Sequence, residues 1–285
     1  MLNFIDFRQR KNMCGRYVQV SSIETIEKRF NVSGDQIDLQ PQFNVGPGNY
    51  APIILDRDKH HVSLGQFGFC PSWAKKRMFL FNARSEGDAN KENDPAYTGG
   101  KGIISKPAFR NSIRHKRCLV IADAFIEGSS KERLNKPYLV YLREKQRPFA
   151  FAGIYDDWAD PKTGEIITTY AIITTVNNEL LQKIPHHRSP VILYKKHEGL
   201  WLNQGAPLTD ITSLLQPYPA EEMNAYPISS AIKNPAAEGK ELITPIGERL
   251  EKESGIVFTK HNKLFGMGHS PGRERRNDDT KKNKS

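Results

Sequence analysis

Cys14 sits in the run Met13-Cys14-Gly15-Arg16-Tyr17, and a cysteine directly after a methionine becomes residue one whenever that methionine initiates translation and is removed. Such a cysteine carries a free α-amine and a thiol on adjacent carbons. An aldehyde that condenses with the amine to a Schiff base can then be closed by the thiol into a five-membered thiazolidine, which no internal cysteine can form. The α-amine titrates at about 7.7–8.0, so a useful fraction is unprotonated near neutrality, whereas a lysine at about 10.4 would need strong perturbation. The plain alternative for the same dipeptide is a buried small hydrophobe.

Four polar clusters could accompany this chemistry. In Phe81-Asn82-Ala83-Arg84-Ser85-Glu86, Asn82 and Arg84 are two apart and would share one strand face. In Ala122-Asp123-Ala124-Phe125-Ile126-Glu127, Glu127 follows an apolar strand, where a partly dry pocket would favour its protonated form and suit it to proton transfer. A surface glutamate at a strand end fits the same pattern. In Ile184-Pro185-His186-His187-Arg188-Ser189-Pro190, two prolines bracket a helix-to-strand turn. Neighbouring histidines usually point apart, so proton transfer or hydrogen bonding fits better than metal ligation. In Gly68-Phe69-Cys70-Pro71-Ser72-Trp73, followed by Lys75, Lys76 and Arg77, an aromatic in a basic turn could stack a base while the charges meet phosphates. A core tryptophan flanked by solvated lysines is the alternative.

The elements that must position these residues read mainly as strands. The spacing predicts a strand beginning at Cys14 and a helix near 22–30, with Ile23, Ile26 and Phe30 in phase behind a capping pattern Ser21-x-x-Glu24. Ala51–Leu55 and the alternating Val62 and Leu64 bracket a turn over Asp56-Arg57-Asp58-Lys59. Further strands fit Cys118–Ala122, Tyr138–Leu142, Phe149–Ile154, Ile166–Thr175 and Val191–Leu193; short helices fit Glu179–Ile184, His197–Asn203 and Thr209–Leu215, the last capped by Thr209-Asp210. Glu86–Lys106 reads as a polar surface loop or lid. With no repeat and no regular βαβ alternation, the expectation is an α+β single domain: a curved, mostly antiparallel, barrel-like sheet with short flanking helices.

Composition bounds the partners. The 285 residues carry a net charge of +10, of which residues 1–12 hold +2, residues 265–285 hold +3 and the body holds +5. That balance favours an anionic partner but also fits a solvated basic tail. No apolar run approaches membrane-spanning length and the first residues lack a signal-peptide core, so a cytoplasmic protein is expected. Three widely spaced cysteines, Cys14, Cys70 and Cys118, argue for reduced thiols and against a zinc site; no metal and no cofactor are expected.

The clusters and their order resemble the SRAP family, the SOS-response-associated peptidase-like proteins that process abasic sites in DNA. MCGRY, FNVGPG (43–48), GFCPSW (68–73), NARSE (82–86), KPAFR (106–110), RCLVIADAFIE (117–127), FAGIYDDW (151–158), IITT (172–175) and HHRSPVIL (186–193) carry the resemblance over roughly 13–250. It implies that Cys14, as the N-terminal residue, condenses with the ring-opened aldehyde of an abasic site in single-stranded DNA. By motif position Asn82 orients the cysteine and the sugar, Glu127 moves protons, and His186 assists ring opening. Arg16 and Arg84 hold phosphates, Pro47 and Trp73 pack against DNA, and Thr174 lines the cleft. A monomer, associated with the nucleoid when on DNA, is the expected state. The implied organisation is an extension over 1–12 that is removed or lies before the true start, a catalytic domain over 13–264 and a disordered basic tail over 265–285.

The chain departs from the family pattern at three places. Residues 1–12 precede Met13; Ala124 and Gly128 replace the usual glycine and tryptophan around the glutamate; and Pro185 reads as an insertion, which makes His187 the alternative to His186. Two other classes fit the same residues: a cysteine hydrolase or peptidase pairing Cys14 with His186 and either Asn82 or Glu127, and a non-catalytic single-strand binder.

Overall fold

Two long strands rich in β-branched and aromatic residues frame the molecule. In the computed structural model, which describes residues 15–34, 37–144 and 146–253, β9 (Phe149–Ala159) and β10 (Ile166–Val176) pair antiparallel from Ala159↔Ile166 to Gly153↔Ile172. β3 (Tyr50–Leu55) and β4 (Asp58–Phe67) form the expected hairpin, although its turn is tighter than the polar run implied, because Asp58 and Lys59 already belong to β4. β6 (Arg117–Ala122) lies between β3 and β9. The ring closes where β10 runs parallel to β4 at Thr169↔Gln66 and Tyr170↔Phe67. The result is a five-stranded barrel, antiparallel apart from that seam.

A second, five-stranded sheet packs beside it in the order β13 (Met223–Pro227), β8 (Pro137–Leu142), β7 (Ala124–Gly128), β1 (Arg16–Gln19), β2 (Gln42–Val45). The chain passes from barrel to sheet across the single residue Asp123, between β6 and β7. Its buried carboxylate accepts from the backbone N–H of Val20 at 2.6 Å and of Ser21 at 2.8 Å, and from Ser21 Oγ at 2.6 Å. Ser21 is therefore engaged elsewhere, and the cap of α1 (Ile23–Phe30) falls to Ser22, which accepts from Thr25 N–H. The last expected helix differs in the same way: α5 (Leu208–Ser213) begins behind Pro207 with no side-chain cap, since proline presets φ at a helix start.

Alternation along the strands sorts the core into layers. Tyr17, Phe67, Phe151 and Tyr170 fill the space between barrel and sheet, where the hydroxyls of Tyr17 and Tyr170 meet at 2.6 Å. Residues of the opposite parity, such as Leu119, Ala152 and Ile173, meet Ile26 of α1, Ile211 of α5 and Trp201 of α4 (Lys195–Trp201). The outer face of the sheet, with Val18, Ile126 and Tyr141, is covered by Ile228, Ile232 and Leu242. Each such side chain contributes about 1.5–3 kcal/mol by leaving water. Buried Arg117 gathers the carbonyls that end two helices, those of Trp201 at 2.7 Å, Asn203 at 2.8 Å and, from α2 (Ser112–His115), Ile113 at 3.1 Å. A cation there answers the negative ends of both helix dipoles.

Candidate active site

β1 and β7 are neighbours, with Arg16 opposite Ile126 and Tyr17 opposite Phe125. Glu127 is one step further along β7 and points, like Phe125, to the barrel side; its side chain is 3% exposed. Gly128 ends the strand. A Cβ there would lie 1.8 Å from the carbonyl oxygen of Arg133, so only glycine lets the 129–136 turn fold back this closely. The tryptophan that the sequence resemblance leads one to expect at this position is therefore excluded by the local backbone.

His186 closes the arrangement. Its Nδ1 is 2.8 Å from the Gly128 carbonyl oxygen and its Nε2 is 3.1 Å from Glu127 Oε2, with the imidazole 5% exposed. A carbonyl can only accept, so Nδ1 carries a proton. The Nε2–Oε2 contact then needs one more, held either as imidazolium beside carboxylate or as imidazole beside carboxylic acid. The pair is buried and shares one proton between its facing atoms. His187 is exposed, so the two histidines point apart as adjacent residues do in an extended segment.

The segment is anchored at successive backbone groups. Pro185 O accepts from Ser130 N–H and Ser130 Oγ, both at 3.0 Å. His186 N–H donates to Leu181 O of α3 (Glu179–Lys183) at 3.1 Å, and His186 O accepts from Asn177 Nδ2 at 2.6 Å. β11 (Arg188–Pro190) then joins β10, with Arg188 opposite Val176.

Arg188 connects this corner to a second group of expected residues. Its Nη2 donates to Glu86 Oε2 at 2.8 Å and to Thr174 Oγ1 at 3.2 Å. β5 (Asn82–Arg84) runs parallel to β10 with Asn82 beside Ile172 and Arg84 beside Thr174, so Asn82, Arg84 and Thr174 share one sheet face. Burial opposes ionisation of Glu86, but the hydrogen bond and charge of Arg188 outweigh it and hold the carboxyl below its ordinary range. Glu86 is thus wholly buried, unlike the surface loop expected to start there; the following residues fold over it, with Arg84 donating to Asn90 O and Lys101 Nζ to Leu215 O at 2.8 Å.

The remaining positions form the rim. Arg16 donates to Asn44 Oδ1 at 2.6 Å and to Lys233 O at 3.2 Å. Pro47 lies in the turn after β2, where Gly48 has φ 98°. Trp73 is 62% exposed on a loop pinned by Ser72 N–H to Asp156 Oδ2 at 2.8 Å and by the Trp158 indole to Ala74 O at 2.7 Å. Gln66 links the two loops, donating to Gly48 O at 3.2 Å and accepting from Arg77. Cys14 lies outside the described residues, as do residues 1–12 and the 265–285 tail; description begins at Gly15, one residue before β1. Cys70 and Cys118 are buried, and burial pushes the Cys118 thiol far up. Among the described residues no group of three or more His, Cys, Asp and Glu side chains could hold a metal, and no helix is long and apolar enough to cross a membrane.

The family model described as SOS response associated peptidase (SRAP) matches residues 13–235. The chain belongs to the SRAP family. The match takes in every strand described above and all the site residues. Among curated relatives, the chain is 35% identical over 240 residues to the abasic site processing protein YoqW of Bacillus subtilis, covering 81% of this chain and 99% of the relative. It is 26% identical over 246 residues to the abasic site processing protein YedK of Escherichia coli, covering 82% and 100%. A crystal structure of a protein from Bacteroides thetaiotaomicron superposes with TM-score 0.67 at 29% identity, covering 81% of this chain and 98% of that one. In this SRAP domain the sequence reading missed Glu86, Ser130, Asn177 and Arg188 as parts of the site. Glu86 and Arg188 lay inside quoted motifs, and alternation from Arg84 and His186 was the available signal; nothing in the sequence marked Ser130 or Asn177.

Proposed function

We propose that this chain processes abasic sites in single-stranded DNA by covalent capture, in the form whose first residue is Cys14. The observation that carries the reading is the buried Glu127–His186 relay at the edge of β7, next to the strand that starts two residues after Cys14. The relatives named as abasic site processing proteins support the substrate class.

The chemistry runs in three steps. A proton relay assists opening of the deoxyribose hemiacetal to the C1′ aldehyde. The Cys14 amine adds to that carbon, and Glu127, which shares its proton with His186, supplies the proton with which the carbinolamine oxygen leaves as water, giving an imine. The thiolate then adds to the imine carbon while the nitrogen takes a proton, closing the thiazolidine. One water is released overall and no oxidant is needed. Asn82, Arg84 and Thr174 face the sugar and phosphates from one sheet surface, while Trp73 and Pro47, on loops bridged by Gln66, pack against the strand where a base is missing.

The test compares chain beginning at Met13 with the full-length form on single-stranded DNA carrying one abasic site, read as a shifted band on a denaturing gel. A band from the Met13 form that disappears in Cys14→Ala supports the reading. A band from the full-length form as well would mean that residues 1–13 are removed, by the chain itself or by another protease. No band from either form, with peptide cleavage instead, would replace capture with a hydrolase; salt-sensitive binding alone would replace it with a simple binder.

A further inference from the structure

The β10–β11 ladder stops two residues short of His186. Its last pair is Val176 opposite Arg188, and neither His186 nor His187 has a partner in it. The next residue of β10's chain, Asn177, reaches past the end of the ladder with its side chain: Nδ2 donates to His186 O at 2.6 Å. Asn178 meanwhile caps α3, accepting from Leu181 N–H at 3.0 Å and donating to Tyr218 O at 2.7 Å. The same Leu181 accepts from His186 N–H. Two adjacent asparagines thus hold both ends of the 178–186 excursion, one fixing its helix and the other its exit.

We infer that Asn177 is a positioning residue for His186. The imidazole must meet Gly128 O with one nitrogen and Glu127 with the other, and a rotation of the His186 peptide would break one contact when it kept the other. The His186 N–H bond to Leu181 constrains one side of that residue; Asn177 constrains the other. Its own Oδ1 is buried and has no hydrogen-bond partner among the described residues, so the amide is held by what its nitrogen does. Side chains that cannot donate fail this requirement: aspartate would set an anion against the His186 carbonyl, and alanine would leave that carbonyl without the bond.

The inference rests on the relay reading proposed above, and its test separates the two. Asn177→Ala and Asn177→Asp, each also combined with His186→Ala, are compared with the parent chain beginning at Met13 for crosslinking rate on abasic single-stranded DNA across pH. The expected result is at least a tenfold slower crosslink with a displaced pH profile in both single variants, unchanged non-covalent affinity, and no further slowing when either is added to His186→Ala. An equal fold-loss in the His186→Ala background, or a normal rate and profile in either folded variant, overturns it. Nitrogen-15 spectra of the histidine ring give a readout independent of activity. The parent should show His186 as a single form protonated at Nδ1, and the variants a mixture; an unchanged His186 signal in both variants overturns the positioning role even if no crosslink forms. Absence of a crosslink in the parent, with the ring signal altered in the variants, would sink the capture reading and leave Asn177 as the residue that sets the imidazole.

Discussion

Two buried acid–base pairs hang from one short segment. His186 meets Glu127 at 3.1 Å, and two residues on Arg188 meets Glu86 at 2.8 Å, all four side chains being at most 6% exposed. Both pairs span between elements, and both pay for desolvation with a hydrogen bond. The difference lies in the base. A guanidinium does not hand its proton on, so Arg188–Glu86 is an ion pair wherever Glu86 is ionised and also reaches Thr174; it fastens β11 and the 86–106 segment to the sheet face carrying Asn82 and Arg84. Imidazole can hand its proton across, so His186–Glu127 is a pair whose single shared proton can move. The same geometry makes a clasp with one base and, in the function proposed above, a relay with the other.

Substitutions that separate rate from stability would break or sharpen this contrast. The largest effect is expected from Glu127→Gln, which keeps the shape and removes the exchangeable carboxylate; crosslinking by the Met13 form should slow by about 10²–10⁴-fold while the melting temperature stays near the parent value. A large loss of stability with an unchanged rate would make this pair the clasp instead. Arg188→Met is expected to do the reverse. It leaves Glu86 buried without its cation and should cost about 3–5 kcal/mol in urea unfolding, with a substantial part recovered in Glu86→Gln/Arg188→Met. Failure of the second change to recover anything would mean that Arg188 acts through Thr174 rather than through Glu86.

Smaller effects follow at the rim and in acid. Trp73→Ala should weaken binding of abasic single-stranded DNA on the order of tenfold and leave stability within about 0.5 kcal/mol, because the ring is already mostly in water. Unchanged affinity in a filter-binding titration would remove Trp73 from the interface. The smallest effect is the pH dependence of the clasp. Because the folded state holds Glu86 below its ordinary value of 4.5, its contribution is fully present above that pH and is lost as pH falls through the lower, folded value. Urea midpoints measured from about pH 6 to about pH 3 should therefore fall less steeply in Glu86→Gln than in the parent, and parallel curves would argue against a charged clasp.

Much of the frame was legible in the chain. Alternation and β-branched runs located β6, β8 and β10 to within a residue and the start of β9, which continues five residues past its expected end, since strands that bury one face must repeat every second position. Phase also located α1, but not its cap: Ser21 and Ser22 are equivalent in a pattern, and only the Asp123 carboxylate, over a hundred residues away, claims one of them. The site was legible as a set of motifs rather than as a geometry. Glu127 and His186 were both singled out, yet no spacing between them could say that they touch, and the choice between His186 and His187 came from burial.

What the sequence by itself determined was local and compositional: which segments form strands, which residue types gather near the glutamate and histidine motifs, and that a cysteine following Met13 has the atoms to close a ring on an aldehyde. Those properties depend on neighbours within a turn or a strand, so they can be read along the chain. The tertiary structure alone decided that β10 closes a barrel against β4 in parallel, that Gly128 is demanded by the carbonyl of Arg133, and that the Asn177 side chain reaches the His186 carbonyl beyond the end of the β10–β11 ladder. Each of these rests on contacts between residues distant in sequence, where the deciding quantity is an ångström-scale approach of two backbones that no local pattern encodes.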